Sequence, residues 1–447
     1  MRSEKQNPLG IEKTSVLLRQ FSVPAIIGMV VSALYNVVDR IFIGNAPDIG
    51  SNGLAGITIG FPIMILQLAL SLLFGIGGAT LFAMKLGEDK PEEADQILGN
   101  TFVLLLISGV LFTIFGISFH KPLLRLFGAS DAVLPYSMAY MQIIFFGTIF
   151  QMVSTGMNHM MRANGKPKLA MITMFAGAGT NIILDPIFIF VFKMGMAGAA
   201  LATIISQAIS MTWIVTNFLI KKNPHRIQLR YMRPKAKNAL KIASLGTPSF
   251  VLQSTNSLLN IILNNSLLKY GGDIAVSGMG IVNSVQTILL MPLTGLNQGV
   301  QPIVSFNYGA KKYDRIKSAE RQAIMVATII VSTGWLLTRL FPMQIVALFN
   351  REPELLKFGS YAIKTWFWCL PVVGLQVLGA NFFQAIGKPT SAMALTLTRQ
   401  IILLIPAILV FSHFWGIHGL LYAAPFADIV AVSITSIRFY YGIKALK

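Results

Sequence analysis

An acid and an amide lie one helical turn apart inside an apolar segment of the first half of the chain. Asn181 and Asp185 are four residues apart within the run 169–191, so a helix places both side chains on one face. A carboxylate in the middle of a membrane-length segment is costly and usually marks an ion or proton path. The alternative interpretation is a buried polar contact between helices.

A second acid of the same kind lies in the apolar run 21–43. Asp39 falls at helical spacing from Tyr35 and Asn36, which would share its face. Of the seventeen acids in the chain, only three interrupt long apolar runs, namely Asp39, Asp185 and Asp428. Two carboxylates close together in a low-dielectric environment cannot easily both be charged, and a proton or sodium ion relieves their repulsion. The pair Asp39 and Asp185 therefore predicts a cation site.

Membrane-spanning helices would have to position these side chains. The chain of 447 residues is 54% hydrophobic and 12% charged, with a mean hydropathy of +0.66. Apolar runs recur at the length that crosses a bilayer as a helix, about 20 residues, whereas a membrane β-barrel would show short alternating segments. The sequence predicts an all-α polytopic membrane protein with twelve transmembrane helices, at about 15–40, 54–83, 97–119, 133–156, 169–192, 196–220, 240–267, 274–306, 322–341, 355–380, 391–413 and 416–441.

The net charge of +19 is distributed as the positive-inside rule requires. With the N-terminus inside, the inner loops and tails carry 26 of the 36 Lys and Arg residues, and the segment 221–241 alone carries eight. We therefore expect a multi-pass plasma-membrane protein with both termini cytoplasmic. Binding of nucleic acid is disfavoured because the basic residues are split among short loops. The single cysteine, Cys369, excludes a disulfide framework and a cysteine metal site.

The chain contains a tandem repeat with an offset of 222 residues. Leu126-Phe127 recurs as Leu348-Phe349, and Gly165-Lys166-Pro167 recurs as Gly387-Lys388-Pro389. Because each half has six spans, the halves begin and end on the same side, which predicts two parallel six-helix repeats with a substrate path between them. We assign 1–220 to an N-lobe with the cation site, 221–241 to a cytoplasmic basic linker and 242–447 to a C-lobe.

The second half lacks the acidic pair, since Leu263 and Ala407 stand where the first half has Asp39 and Asp185. It offers instead neutral amides on spans seven and eight, namely Gln253, Asn256, Asn260, Asn264, Asn283 and Gln286. These amides could form hydrogen bonds between helices or line a cavity, and the sequence does not choose. The charges inside its spans are Lys364, Arg399 and Asp428. Arg399 and Asp428 could pair, and otherwise a positively lined cavity would suit an anionic substrate.

Several motifs resemble those of the MATE family of multidrug and toxin extrusion transporters. They are Leu34-Tyr-Asn-Val-Val-Asp39 followed by Ile41-Phe-Ile-Gly44, Asn181-Ile-Ile-Leu-Asp185-Pro186, Arg162-Ala-x-Gly165-x-Pro167, Gly198-Ala-Ala-Leu-Ala-Thr203 and Asn307-Tyr-Gly309. The resemblance covers the whole chain and is greatest to the bacterial and archaeal branch with an acidic pair in its N-lobe. No acid occurs on span seven, where another branch has one.

This resemblance implies a proton- or sodium-coupled antiporter that exports amphipathic, mostly cationic compounds by alternating access between two lobes. It implies coupling-ion ligands at Asp39, Asn181, Asp185 and Thr203, with sodium as one candidate ion, and less directly at Tyr140. Pro24 removes a backbone donor from span one and is the expected hinge. Tyr35, Asn36 and the amides of the second half are candidates for the substrate cavity.

We expect small-molecule drugs or toxins and the lipid bilayer as partners, no cofactor, and a monomer. A flippase for lipid-linked precursors, of related architecture, is the alternative function, and it would need more Arg and Lys inside the membrane to hold phosphates. An enzyme is disfavoured, because no zinc-protease, serine-hydrolase or Walker-type motif occurs and the five His residues are scattered.

Overall fold

The structure, a computed structural model, describes residues 7–44, 46, 50–220 and 223–446, with side-chain surroundings for all of these except 36, 37, 40, 44, 50–52 and 54. The predicted cavity residue Asn36 and the basic residue Arg40 therefore lie outside the described side chains. The helices are α1 (Thr14–Gly44), α2 (Gly50–Gly87), α3 (Pro91–Leu126), α4 (Leu134–Ala163), α5 (Pro167–Pro186), α6 (Gly195–Leu219), α7 (Ala236–Gly309), α8 (Tyr313–Leu340), α9 (Pro342–Ala347), α10 (Pro353–Trp366), α11 (Leu370–Ala385), α12 (Pro389–Leu397) and α13 (Ile405–Lys444).

The part of the chain that the structure describes contains the twelve spans that the sequence predicts. Nine helical stretches are long and apolar enough to cross a membrane, and α10 with α11 forms a tenth span bent by 51°. Two of the nine consist of two arms joined at a kink, at Gly272 (φ 64°) in α7 and at Gly416 (φ 58°) in α13. Each kink takes a left-handed conformation that glycine adopts without steric cost. When the two arms of each kinked stretch are counted separately, the ten spans become twelve.

The tenth span is broken, although the apolar run 355–380 predicts one uninterrupted helix. The break separates Trp366 from Leu370. Pro371 follows directly and is the second residue of α11, where it has no backbone N–H to donate to the preceding turn. The hydropathy of the run conceals this break because the residues around it are themselves apolar.

The tandem repeat is visible in the backbone. Helix ends recur 222 residues apart, at Gly87 and Gly309, Pro91 and Tyr313, Ala163 and Ala385, and Pro167 and Pro389. Left-handed residues recur at the same offset, at Asp89 and Lys311 (both φ 57°) and at Gly165 (φ 75°) and Gly387 (φ 78°). The repeated Gly-Lys-Pro sequence thus encodes the same turn twice, with glycine in the left-handed position and proline opening the next helix.

The chain divides into two compact units. The first is built around Ile27–Gln253, and the second around Glu12–Ile26, Ser254–Tyr308 and the chain from Lys312 onwards. Within α1 the change of unit falls between Ile26 and Ile27, less than one turn after Pro24. These units are defined by contacts between residues, whereas the division into 1–220, 221–241 and 242–447 is defined by the sequence repeat. As a division of function, the latter stays a prediction.

Candidate functional site

Helix α5 carries Asn181 and Asp185 close to its C-terminal end. Asp185 is fully buried and Asn181 nearly so, and the Asn181 side-chain N–H donates to Asp185 Oδ1 at 3.2 Å. Pro186 ends the regular helix, and a π-helical turn, Ile187–Val191, follows. Such turns are rare and often lie at functional sites. The predicted pair therefore shares one buried face beside an irregular backbone.

The Asp39 carboxyl from α1 lies next to this pair. It is buried, and it is close enough to Asp185 for direct side-chain interaction and for mutual repulsion when both are charged. Two further oxygens there, Asn181 Oδ1 and Asp185 Oδ2, are buried and have no hydrogen-bond partner among the described residues. A buried acceptor without a donor costs free energy, so these oxygens are suited to receive a proton or a cation.

Hydroxyl groups from α4 and α6 complete the cluster. Tyr140 and Thr203 are buried with their hydroxyl groups within reach of each other, and the Thr203 hydroxyl donates to the Ala199 carbonyl at 3.0 Å. The Tyr140 hydroxyl is within electrostatic range of Asp39, Asp185 and Tyr35. All five residues predicted for cation coupling, together with Tyr35, are thus close to one another in the first unit.

Close packing of α4, α5 and α6 brings these side chains together. A Cβ atom on Gly147 of α4 would lie 2.2 Å from the Ile204 side chain of α6, and one on Gly177 of α5 would lie 2.4 Å from Ser210 Oγ. Ser210 also donates to the Thr173 carbonyl of α5 at 3.3 Å. Small residues and hydroxyl groups therefore fix α6 against α4 and α5, as is usual for helices in membranes.

The donor set fits a proton or a small hard cation. It consists of carboxylate, amide and hydroxyl oxygens, the ligand types that such cations prefer. No described basic side chain interacts with Asp185, whose partners are Asp39 and Asn181. Within the described ranges no group of three or more His, Cys, Asp or Glu residues is arranged so that it could hold a metal ion. Two carboxylates and neutral oxygens suit a single positive charge.

Two of the amides predicted for a cavity in the second half form contacts between helices. The Gln400 side chain donates to Asn256 Oδ1 at 2.8 Å, and Trp366 Nε1 donates to Gln286 Oε1 at 3.1 Å. Asn260 is exposed, and its amide donates to the Asn256 carbonyl at 2.9 Å within α7. Of the others, Asn264 is exposed, Asn283 is half-buried, and Gln253 belongs to the first unit.

The second unit also has a cavity of about 360 Å³. None of the predicted cavity residues lines it; the lining residues are Asn265, Ser266, Lys269, Tyr270, Leu409, Ser412 and His413.

Two of the three charges that the sequence places in the spans of the second half, Arg399 and Asp428, form an ion pair. Arg399 donates to Asp428 Oδ1 from Nε and from a terminal nitrogen, both at 2.8 Å, and Asp428 is buried. Lys364 is exposed. Of the two alternatives, pairing is the one found, and Arg399 is not a free positive charge in a cavity.

Among the described residues two buried acids were not predicted, namely Asp95, which lies 2.9 Å from His225, and Glu320. Glu320 is 1% exposed, and its Oε2 atom has no hydrogen-bond partner in the described parts of the chain. Its apolar run begins at about residue 322, but α8 begins at Tyr313, so Glu320 lies inside the helix. The repeat could have indicated that Glu320 is buried, because the matching residue 222 positions earlier is Leu98, which is fully buried.

Glu320→Gln is expected to raise the thermal midpoint of the detergent-solubilised protein at neutral pH by about 2 °C or more. A buried carboxyl without a partner is costly to ionise, and glutamine has the same shape without the charge. The gain should shrink at acid pH, because the carboxyl is then protonated in the unfolded protein as well and its burial no longer requires the uptake of a proton. The exposed Glu352 is the matched control, and Glu352→Gln should leave the midpoint unchanged. A Glu320→Gln midpoint at or below that of wild type at every pH would contradict the account.

Comparison with known proteins gives consistent matches over the whole chain. The family model MatE matches residues 24–187 and 248–409. The multidrug export protein MepA of Staphylococcus saprophyticus is 26% identical over 431 residues, which cover 96% of this chain and 94% of MepA. The MATE multidrug transporter DinF-BH, whose structure was solved as a complex, is 37% identical, with a TM-score of 0.91, and covers 99% of this chain and 98% of its own. An outward-facing multidrug resistance MATE family transporter of the MOP superfamily is 25% identical, with a TM-score of 0.93 and coverage of 100% and 99%.

Proposed function

Because this chain belongs to the MatE family, whose members are multidrug transporters and not enzymes, we propose that it is a cation-coupled antiporter. It exports amphipathic, mostly cationic organic compounds by alternating access, in exchange for protons or sodium ions. The observation that carries the coupling is the buried contact of Asp39 and Asp185, in which Asp185 has no basic partner among the described side chains.

The coupling step follows from the charges at this site. Without a bound cation, two adjacent carboxylates repel each other in a low-dielectric environment, and a proton or sodium ion neutralises one of the charges. Pro24 lies less than one turn from the residue at which α1 changes unit, so we place the hinge for the resulting movement of α1 there. One charge crossing about 100 mV releases roughly 2.3 kcal/mol, which sustains about a fiftyfold concentration gradient of an uncharged compound, whereas export of a monovalent cation in a one-for-one exchange is driven by the concentration gradient of the coupling ion alone.

Among the candidate residues for substrate selection, Asn260 is the one we favour. It is exposed, whereas Asn256 and Gln286 already accept hydrogen bonds from Gln400 and Trp366. Tyr35 interacts with Tyr140 in the cation site, so it could connect substrate binding to ion binding. The flippase alternative is weakened, because Arg399, which could have held a phosphate, is paired with Asp428.

Gradient-driven transport of a cationic rhodamine dye tests this function. Purified protein in liposomes should accumulate the dye against its gradient when a pH gradient or a sodium gradient is imposed alone, and the effective gradient identifies the coupling ion. Dissipating that gradient should stop the accumulation. If the dye only reaches equal concentrations inside and outside the liposomes under either gradient, coupled antiport is ruled out.

The cytoplasmic placement of the segment 221–241 is tested by labelling. Pro224 is exposed and suits a reporter cysteine, whereas Asn223 is held by Lys166 and Asn217. In a Cys369→Ser background, Pro224→Cys should react with a membrane-impermeant thiol reagent only after permeabilisation. The control Leu348→Cys, at a residue that is 84% exposed in a predicted outer loop, should react in intact cells. The reverse pattern would invert the topology.

A further inference from the structure

The segment that joins the two repeats is fixed to the start of α3. We call residues 223–235 the strap. Asn100 of α3 forms three hydrogen bonds with the strap backbone: its Nδ2 donates to the carbonyls of Tyr231 at 2.9 Å and Arg233 at 3.2 Å, and its Oδ1 accepts from the Lys235 N–H at 3.0 Å. A Cβ atom on Gly99 would lie 2.6 Å from the Tyr231 carbonyl oxygen. Only glycine permits so close an approach at that position.

Side chains of the strap add contacts to the first two turns of α3. The Tyr231 hydroxyl donates to Glu92 at 2.9 Å, His225 lies 2.9 Å from Asp95, and Lys235 donates to Gln96 at 3.0 Å. Burial, together with the Glu92 carboxylate, raises the pKa of Tyr231, so its hydroxyl keeps the donated proton. The strap is therefore an ordered part of the first unit, and its other face has a defined composition.

That other face is basic and carries a protruding leucine. Leu229 is 86% exposed, Arg230 and Arg233 of the strap are exposed, and so is Lys237 in the first turn of α7. The segment 221–241 contains eight basic residues and no acid. The positive-inside rule explains on which side of the membrane such charges lie, but it explains neither the fixed backbone nor the exposed leucine.

We propose that the strap binds anionic phospholipid headgroups of the cytoplasmic leaflet. The strap joins the end of α6 to the start of α7, two membrane-spanning helices, so it lies at the membrane surface. Leu229 inserts among the acyl chains close to the headgroups, and the basic side chains around it contact the phosphates. Because the backbone is already ordered, lipid binding does not have to pay for ordering it. This inference is independent of which compound or ion the protein transports.

Quenching by brominated lipids tests the proposal without a transport assay. Leu229→Cys in a Cys369→Ser background is labelled with a fluorophore, and the protein is placed in nanodiscs of phosphatidylcholine and phosphatidylglycerol. Brominated phosphatidylglycerol should quench the label several-fold more than brominated phosphatidylcholine at the same content. Adding Arg230→Gln, Arg233→Gln and Lys237→Gln should remove the difference. None of these three side chains bonds to α3 in the contacts described above.

Two controls separate the outcomes. A label at Leu348→Cys, equally exposed but with fewer basic neighbours, should be quenched equally by both lipids. The stronger quenching by brominated phosphatidylglycerol at residue 229 should be as large in a phosphate buffer as in a chloride buffer of the same ionic strength. Equal quenching by both lipids at residue 229 would overturn the proposal, and so would a preference for phosphatidylglycerol that survives the three substitutions. A preference that is lost in phosphate but not in chloride would also overturn it, in favour of a site for free anions.

Discussion

Export of a cationic rhodamine dye by the Asp185→Asn variant is expected to fall to the level of cells that lack the transporter, although the variant is made in normal amounts. Asparagine keeps the shape of the side chain and the contact with Asn181, but it can neither bind a proton as a carboxylate does nor repel Asp39. Asp39→Asn should have the same effect for the same reason. Drug resistance of cells and dye efflux measure the result, with membrane protein levels and thermal midpoints confirming folding. Normal resistance in either variant would remove the residue from the coupling site.

Asn260→Ala is the matched comparison in the second unit. Asn260 is exposed and carries no charge, so its loss should alter which compounds are exported while the remaining transport keeps its dependence on pH or sodium. Asp185→Asn should instead abolish ion-dependent export of every compound tested. A resistance profile over several cationic and neutral drugs separates the two. A shift in ion dependence in Asn260→Ala, or mere reordering of substrates in Asp185→Asn, would contradict this division of labour.

Arg399→Met is expected to lower the free energy of unfolding by about 3–5 kcal/mol, because it leaves a buried carboxylate without its partner. Asp428 is 5% exposed, and its hydrogen bonds to Arg399, both 2.8 Å long, would be lost. The measurement is the thermal midpoint in detergent at neutral pH, supported by the fraction of protein that remains monodisperse.

The double variant Arg399→Met, Asp428→Leu provides the control for this pair. Replacing both partners of a buried ion pair by apolar side chains of similar size is often neutral or stabilising, so its midpoint should return close to that of wild type. A double variant as unstable as Arg399→Met would show that the loss comes from packing of the arginine stem rather than from an unpaired charge.

The sequence predicts the membrane spans and the two isolated acids of the first half for one physical reason, whereas the repeat follows from recurring motifs, and Tyr140 and Thr203 are proposed from the family resemblance. Apolar length and isolated acids such as Asp39 and Asp185 are local signals, because the bilayer penalises every charge within a span. Glu320 was missed because α8 continues beyond the apolar run, so hydropathy places this acid at the edge of the span. The attachment of the strap was missed because Asn100 binds backbone groups, which leave no pattern in the sequence.

The amides of the second half mark another limit of sequence reasoning. Asn256 and Asn260 are four residues apart on one helix face, yet one accepts a hydrogen bond from another helix and the other is exposed. Periodicity identifies the face of a helix, whereas the partner of each side chain depends on residues far away in the sequence, here Gln400.

Simultaneous measurement of dye flux and ion flux in liposomes tests the central claim most directly. Wild-type protein should move the coupling ion inward only when the rhodamine dye moves outward, at a fixed ratio. The Asp185→Asn protein, reconstituted at the same density, should show no dye-dependent ion flux. An undiminished dye-dependent ion flux in that variant would place the coupling ion elsewhere in the protein.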